Sequence, residues 1–191
     1  MLLDIGAGIL LAIWVSWFWQ INLSLGLVLA GIVFALLPDA DFFVELAKRG
    51  RVGGKIIGAH RELTHFPITY VPIVAIIYVL FGEQTATLFS LAVVFHLLHD
   101  GIGIGWGIKY LWPFSKKTYK FFSEKDGKIS SRLVVSWEDE ELKKTVARYG
   151  DPNWIKNIYL RPSFVSIIEL LGFIASLAVL YFYLTRARDI W

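Results

Sequence analysis

All four histidines of the chain lie in two short segments that also carry aspartates. The first segment runs from Asp39 and Asp41 to His60-Arg61-Glu62-Leu63-Thr64-His65, and the second is His96-Leu97-Leu98-His99-Asp100. On a helix, residues four apart such as His96 and Asp100 share one face, and His99 flanks them. Imidazole and carboxylate groups are ligands of Zn²⁺, Mn²⁺ and Fe²⁺. The spacing therefore predicts that the two segments build one metal site.

The candidate ligands are the acidic and imidazole side chains of these segments: Asp39, Asp41, His60, His65, His96 and Asp100. They suffice for one or two ions with open positions for water, and Zn²⁺ is favoured, with Mn²⁺ or Fe²⁺ as alternatives. Mg²⁺ alone would account for the carboxylates but not for the histidines. The chain has no cysteine, which excludes thiolate ligands. Taken singly, Asp39 after Pro38 is typical of a helix cap and His96 of a hydrogen-bonded core histidine, so the prediction depends on their occurring together.

The composition is that of a membrane protein. Hydrophobic residues make up 56% of the 191 residues and charged residues only 18%, whereas a soluble domain has about 25% charged residues. A charged aspartate in the middle of a bilayer costs about 2.5 to 3.5 kcal/mol on insertion scales. Asp39, Asp41 and Asp100 near lipid therefore need compensation, which a divalent cation supplies.

The apolar runs predict an all-α polytopic membrane protein with about five transmembrane helices in one membrane domain over residues 1–191. Residue 4 is an aspartate where a signal peptide would carry basic residues, so the first helix is expected to remain in the mature protein. The predicted spans are residues 2–19, 23–37, 66–81, 85–108 and 164–184. Spans two and three are shorter than the roughly 20 residues that cross a bilayer, so their polar flanks are drawn toward its surface.

The only stretch of soluble character is an insertion over residues 114–162. Two β-rich runs flank Asp126-Gly127, a dipeptide suited to a tight hairpin turn. Ser136 and Asp139 then have the spacing of a helix capping box, and Gly150 is placed to end that helix. We expect a small cytoplasmic hairpin-plus-helix segment.

Basic residues predict the orientation. Of the 19 lysines and arginines, five lie between spans two and three and twelve between spans four and five. The positive-inside rule then places the N-terminus and both basic loops in the cytoplasm. The net charge of +3 is explained by this topology and by attraction to anionic lipid, so no nucleic-acid partner is expected.

The ordered motifs resemble those of the YdjM-like inner-membrane proteins of bacteria and archaea, which are described as membrane-bound metal-dependent hydrolases. The resemblance covers residues 1–115 and rests on Leu37-Pro38-Asp39-Ala40-Asp41, the two histidine segments, Gly105 and Trp112-Pro113-Phe114-Ser115. It implies an inner-membrane location and a metal role for the six candidate ligands. The chain departs from the family pattern at Phe42, Phe66 and His99.

The resemblance implies hydrolysis, and a metal ion would supply its chemistry by lowering the pKa of water and polarising a phosphoryl or carbonyl oxygen. Arg61 is then a candidate for binding phosphate, and Glu62 and His99 are candidates for moving protons. A site at a membrane face favours a substrate from the lipid bilayer, such as a phospholipid or a lipid-linked phosphate, and phosphoester cleavage over amide cleavage.

The alternative class is a divalent-metal transporter or a non-catalytic metal-binding membrane protein. It would use the same ligands, but it predicts acidic groups that continue along a path through the bilayer, and spans one and three have no acidic residue in their middle. A metalloprotease is disfavoured because His60 and His65 are five residues apart, where a His-Glu-x-x-His helix motif needs four. A di-iron desaturase is disfavoured because it usually needs about eight histidines, and a haem carrier because it leaves the aspartates without a role.

Overall fold

The structure is a computed structural model, and it describes residues 1–57, 63–102, 105–122, 124–125, 128–129 and 133–188. The chain is mostly helical, with two short antiparallel strand pairs. Its backbone groups into two compact units. The first consists of Met1–Leu37, Pro72–His96 and Ser166–Trp191, and the second of Pro38–Val71 and Leu97–Val165.

Six α-helices occur in the described part of the chain. They are α1 (Leu2–Phe18), α2 (Leu25–Leu36), α3 (Ala40–Arg49), α4 (Pro67–Ile102), α5 (Asp139–Tyr149) and α6 (Phe164–Arg188). Short 3₁₀ turns at Leu37–Asp39 and Leu63–His65 precede α3 and α4.

Three helical segments of the described residues are long and apolar enough to cross a membrane: Leu25–Arg49, Pro67–Ile102 and Phe164–Arg186. Helix α1 is apolar but has 17 residues, and the predicted third and fourth spans are the two helical parts of α4, which meet at a break at Gly82. The predicted count of five spans is therefore not confirmed, whereas a helical membrane protein is. The single-domain prediction and the predicted orientation stay predictions.

Helix α4 is interrupted at Gly82, where φ of 83° and ψ of 178° leave the helical region. Only glycine adopts this conformation readily, so the sequence itself sets the break between the third and fourth predicted spans. The prediction that the fourth helix extends to residue 108 is wrong, because the helix ends at Ile102. Gly105 and Gly107 both have positive φ, and Ile108 already pairs with Tyr119 as extended backbone, so the chain is not helical at these positions.

The first unit is held together by close contact between α1 and α2. A side chain at Gly8 would collide with the backbone of Gly31, and one at Gly31 would collide with Gly8. Small residues that let two helix backbones approach closely are the usual contact surface in membrane helix pairs. Ala12, Val15 and Leu88 form the fully buried core beside this contact.

The second unit contains the predicted hairpin. Strands β1 (Thr118–Phe121) and β4 (Val134–Trp137) pair antiparallel, and β2 (Glu124–Lys125) pairs with β3 (Lys128–Ile129) at the tip. The turn residues Asp126 and Gly127 lie outside the described residues. The side chains Val135, Trp137, Leu142 and Val146 join β4 to α5 in one buried cluster.

The predicted start of α5 is wrong in one respect, because Ser136 does not cap it. Ser136 belongs to β4, and the helix begins at Asp139 after Glu138 without a side-chain capping bond. Pairing of Ser136 with Tyr119 fixes it in the strand, so it cannot turn toward the helix. Gly150 ends the helix as predicted.

Replacement of Gly8 by alanine should destabilise the first unit. Alanine favours helix over glycine by about 1 kcal/mol, but overpacking a close contact costs about 1 to 3 kcal/mol or more. Gly26→Ala in α2 is the matched control, since a side chain there would meet only the Ser24 hydroxyl at 3.7 Å. Thermal unfolding in detergent should show a lower Tm for Gly8→Ala and an equal or higher Tm for Gly26→Ala. Equal effects of the two substitutions would contradict the assigned contact.

Candidate metal centre

His65 is the centre of a carboxylate cluster in the second unit. Its ring is fully buried, at 0% exposure. Nε2 lies 3.2 Å from an oxygen of Asp100 and 3.7 Å from an oxygen of Asp39, while Nδ1 lies 3.5 Å from an oxygen of Asp41. Three of the predicted carboxylates therefore surround one predicted histidine, two of them on the same ring nitrogen.

Helix ends position these side chains. Asp39 occupies the N-cap position of α3 but makes no side-chain capping bond, so its carboxylate is not committed to the helix. Asp41 lies in the first turn of α3, where the helix dipole favours a negative charge. Asp100 lies in the last turn of α4, where the dipole disfavours one, so its charge needs a cationic partner.

A hydrogen-bond chain fixes the Nδ1 edge of His65. The Thr64 hydroxyl donates to Asp41 and lies 3.1 Å from His65 Nδ1. The Tyr70 hydroxyl donates to the backbone carbonyl of Thr64 and so holds the 3₁₀ turn on the first turns of α4. Asp41 and Thr64 thus set the orientation of the imidazole ring, and Nε2 is left facing Asp39 and Asp100.

The electrostatics of the cluster favour a cation. Burial by itself would lower the pKa of His65, but hydrogen bonds with Asp100, Asp39 and Asp41 outweigh it and raise the pKa to about 10. Carboxylates converge on both ring nitrogens of His65. Negative groups this close to one another stabilise a cation placed among them, and a divalent ion more than a proton.

The distances around Nε2 fit a metal ion. Ligand atoms about 2.0 to 2.2 Å from a tetrahedral ion lie about 3.3 to 3.6 Å from one another, close to the 3.2 and 3.7 Å measured from Nε2. One nitrogen with carboxylate oxygens suits Zn²⁺, Mn²⁺ or Fe²⁺. Within the second unit, Asp39, His65 and Asp100 could bind a metal ion.

In the first unit, His96 has contacts that define its protonation. Nδ1 lies 2.7 Å from the carbonyl oxygen of Ala35 and 3.5 Å from a carboxylate oxygen of Asp4. A carbonyl only accepts hydrogen bonds, so Nδ1 carries a proton, and in the neutral form of the ring Nε2 carries the lone pair. A histidine with a backbone carbonyl and a carboxylate on one ring nitrogen presents the other nitrogen in the form that binds metal.

Asp4 is the residue that the sequence analysis missed. It is buried at 1% exposure in the first turn of α1 and also pairs with the Met1 amino group at 2.9 Å. The sequence does contain a signal for this contact, because an aspartate at the start of an otherwise uncharged helix costs free energy unless it has a partner. Glu169 of α6 is buried too and accepts hydrogen bonds from the Met1 and Leu2 nitrogens.

Of the remaining predicted site residues, the structure describes only His99. His60, Arg61 and Glu62 lie outside the described residues, so the ligand, phosphate and proton roles predicted for them stay predictions. His99 is half-buried on α4 next to Asp100, and adjacent residues of a helix point in different directions. Its predicted role in moving protons also stays a prediction.

The aromatic residue that follows His65 joins the site to the Trp112-Pro113-Phe114-Ser115 motif. Phe66 stacks on Trp112 with ring centroids 4.7 Å apart and planes tilted by 16°. A serine at this position could not make that contact. The departure from the family pattern at Phe66 is therefore a packing feature that covers the backbone next to His65.

These features define a multi-pass helical membrane protein with a buried histidine–carboxylate cluster. The chain belongs to the YdjM inner membrane protein family, whose model matches residues 4–187. The match is wider than the resemblance in the motifs and includes the hairpin, α5 and most of α6. No curated protein and no solved structure matches the chain.

The raised pKa of His65 predicts how the metal-free protein responds to pH. Its folded pKa of about 10 exceeds the unfolded value of about 6.5, so the imidazolium stabilises the fold fully below about pH 6.5. That contribution should be lost as the pH rises toward 10. Thermal unfolding in detergent with a chelator should show Tm falling over this range in the wild type, and falling less in His65→Gln. Parallel curves for the two proteins would contradict the assigned carboxylate contacts.

Proposed function

We propose that the protein is a membrane-bound metal-dependent hydrolase that cleaves a phosphoester in a phospholipid or lipid-linked substrate at the cytoplasmic membrane face. The observation that carries this proposal is the cluster of three carboxylates on His65, because carboxylate and imidazole groups at these distances are the donor set of a divalent transition metal. The family assignment supports an inner-membrane location.

The proposed ligands are Asp39, His65 and Asp100, with His96 added because it lies four residues before Asp100 on the same helix. Asp41 is assigned a different role from the predicted one. It faces His65 Nδ1 and accepts from Thr64, so it orients the ring and raises the basicity of Nε2 rather than binding the ion. His60 remains a proposed ligand.

A bound Zn²⁺, Mn²⁺ or Fe²⁺ would lower the pKa of water and polarise a phosphoryl oxygen. The chain would supply the rest of the chemistry. Arg61, four residues before His65, is proposed to hold the phosphate by a bidentate contact. Glu62 and His99 are proposed to take and return the proton of the attacking water.

One observation favours the transporter alternative. Asp4, His96 and Glu169 are ionisable groups buried within the first unit, on helices α1, α4 and α6. Intramembrane ionisable groups commonly mark ion paths. Asp4 nevertheless lies in the first turn of α1. Both carboxylates contact the start of that helix, since Asp4 pairs with the Met1 amino group and Glu169 accepts from the Met1 and Leu2 nitrogens. This supports a structural role at the start of α1 over a path through the bilayer.

Metal analysis tests the site itself. Protein purified in detergent should hold about one or two equivalents of a divalent transition metal by mass spectrometry, and His65→Ala and Asp100→Asn should lose at least about 90% of it, because each removes a ligand. Asp41→Asn should lower metal affinity by about 10- to 100-fold, because it removes only the group that orients the ring. Glu140→Gln, which alters an exposed acid of α5, is the control. Metal retained in both ligand variants would contradict the proposed set.

Activity separates the two functions. Proteoliposomes containing phosphatidic acid or phosphatidylglycerol should release phosphate or a lipid product on metal loading, and His65→Ala should lower that rate by about 100-fold or more. Flux of Zn²⁺ or Mn²⁺ into the same vesicles is the competing readout. Metal binding with flux and without hydrolysis would replace the hydrolase proposal by the transporter.

A further inference from the structure

The short helix α3 turns a charged face toward the protein interior and exposes apolar side chains on its outer face. Glu45 is fully buried at 1% exposure, and Asp41 and Arg49, four residues to either side, are half-buried on the same face. Phe43 and Val44, by contrast, are 67% and 49% exposed. A helix on the surface of a water-soluble protein has the opposite arrangement.

The inner face of α3 is polar because its polar groups are satisfied there. The Glu45 carboxylate accepts from the Arg49 guanidinium and, at 3.2 Å, from the backbone nitrogen of Gly53. Asp41 accepts from the Thr64 hydroxyl. These contacts fix the rotation of α3 about its axis, so the exposure of its apolar face is built into the fold.

Basic side chains follow the exposed apolar face. Lys48, Arg51 and Lys55 are exposed, and among the described residues none of the three makes an ion pair. Gly50 ends the helix with φ of 67°. The exposed Ile56 and Ile57 directly follow Lys55 in the chain. An apolar face bordered by lysine and arginine is the signature of a segment that lies in the surface of an anionic bilayer.

We propose that α3 and the turn after it, residues 40–57, form an interfacial element that binds anionic lipid. Phe43, Val44 and Leu46 insert at the boundary between headgroups and acyl chains, and Lys48, Arg51 and Lys55 bind headgroup phosphates. A lipid surface is favoured over a protein partner for two reasons. The element follows the apolar helix α2 after a short 3₁₀ turn, and its bases complement phosphate. The inference rests on the membrane assignment and not on the proposed hydrolysis.

The absence of cysteine in the chain allows a direct test of depth. A nitroxide label on Phe43→Cys, in nanodiscs of phosphatidylcholine with phosphatidylglycerol, should be more accessible to oxygen than to a water-soluble nickel complex. A label on Ala147→Cys, an exposed position on the polar helix α5, should show the reverse. Preference of the Phe43 label for nickel would overturn the proposal, as would dipolar broadening between labels, which would show a second copy of the chain on this face.

Headgroup binding is tested by charge. In native mass spectrometry, the triple variant Lys48→Gln, Arg51→Gln, Lys55→Gln should hold at most about one third of the phosphatidylglycerol that the wild type holds. Added salt should lower the amount of phosphatidylglycerol bound to the wild type. The matched control removes the same charge from α5 with Lys143→Gln, Lys144→Gln and Arg148→Gln. Equal retention in the two triple variants would overturn the headgroup assignment. Metal content should be unchanged in the α3 variant, which separates this result from a failure of the proposed function.

Discussion

The structure depends on one constraint: an ionised group beside lipid must have a partner of opposite charge or a set of hydrogen-bond donors. Each buried acid whose contacts are described meets it with a local partner. Glu45 has Arg49 and Gly53, Glu169 has the start of α1, and Asp4 has His96 and the Met1 amino group. The cluster at His65 differs, because three carboxylates share one imidazole. One imidazole and several carboxylates within ligand distance of one another are the donor set of a divalent metal ion, which is why the cluster points to a bound ion and the other acids do not.

Much of the cluster was predictable from the sequence because its members are chemically rare in an apolar chain. Asp39, His65 and Asp100 are separated by long stretches of sequence, yet the loops between membrane helices return to the same face and bring them together. Asp41 was predicted as a ligand, and its contact with Nδ1 was not foreseen, since spacing does not reveal which edge of an imidazole a carboxylate meets. Asp4 was missed for a related reason. Its partner His96 is distant in sequence, so neither residue alone indicates the contact.

The parts of the fold that local sequence rules determine could be predicted from the sequence. The parts that tertiary contacts determine could not. The pairing of β2 with β3 and the end of α5 at Gly150 agree with the predictions from turn and capping chemistry. The end of α4 at Ile102 depends on the strand pairing of Ile108, which hydropathy does not report. Helix α3 was not predicted at all. Its periodicity is regular, but its polar face is the inner one, so a search for apolar inner faces passes over it.

The inverted polarity of α3 and the cluster at His65 have a common origin. Asp39 and Asp41, at the start of the helix, contact His65, and Glu45 and Arg49 continue the same polar face toward its end. Because these four charged groups lie along the inner face, the helix has little apolar surface to bury there. Phe43, Val44 and Leu46 are therefore exposed. In water this arrangement would expose apolar surface without compensation. In the surface of a bilayer it is stabilising, and the same lipid contact sets the helix start, and with it the two aspartates, at the depth of the phosphate headgroups.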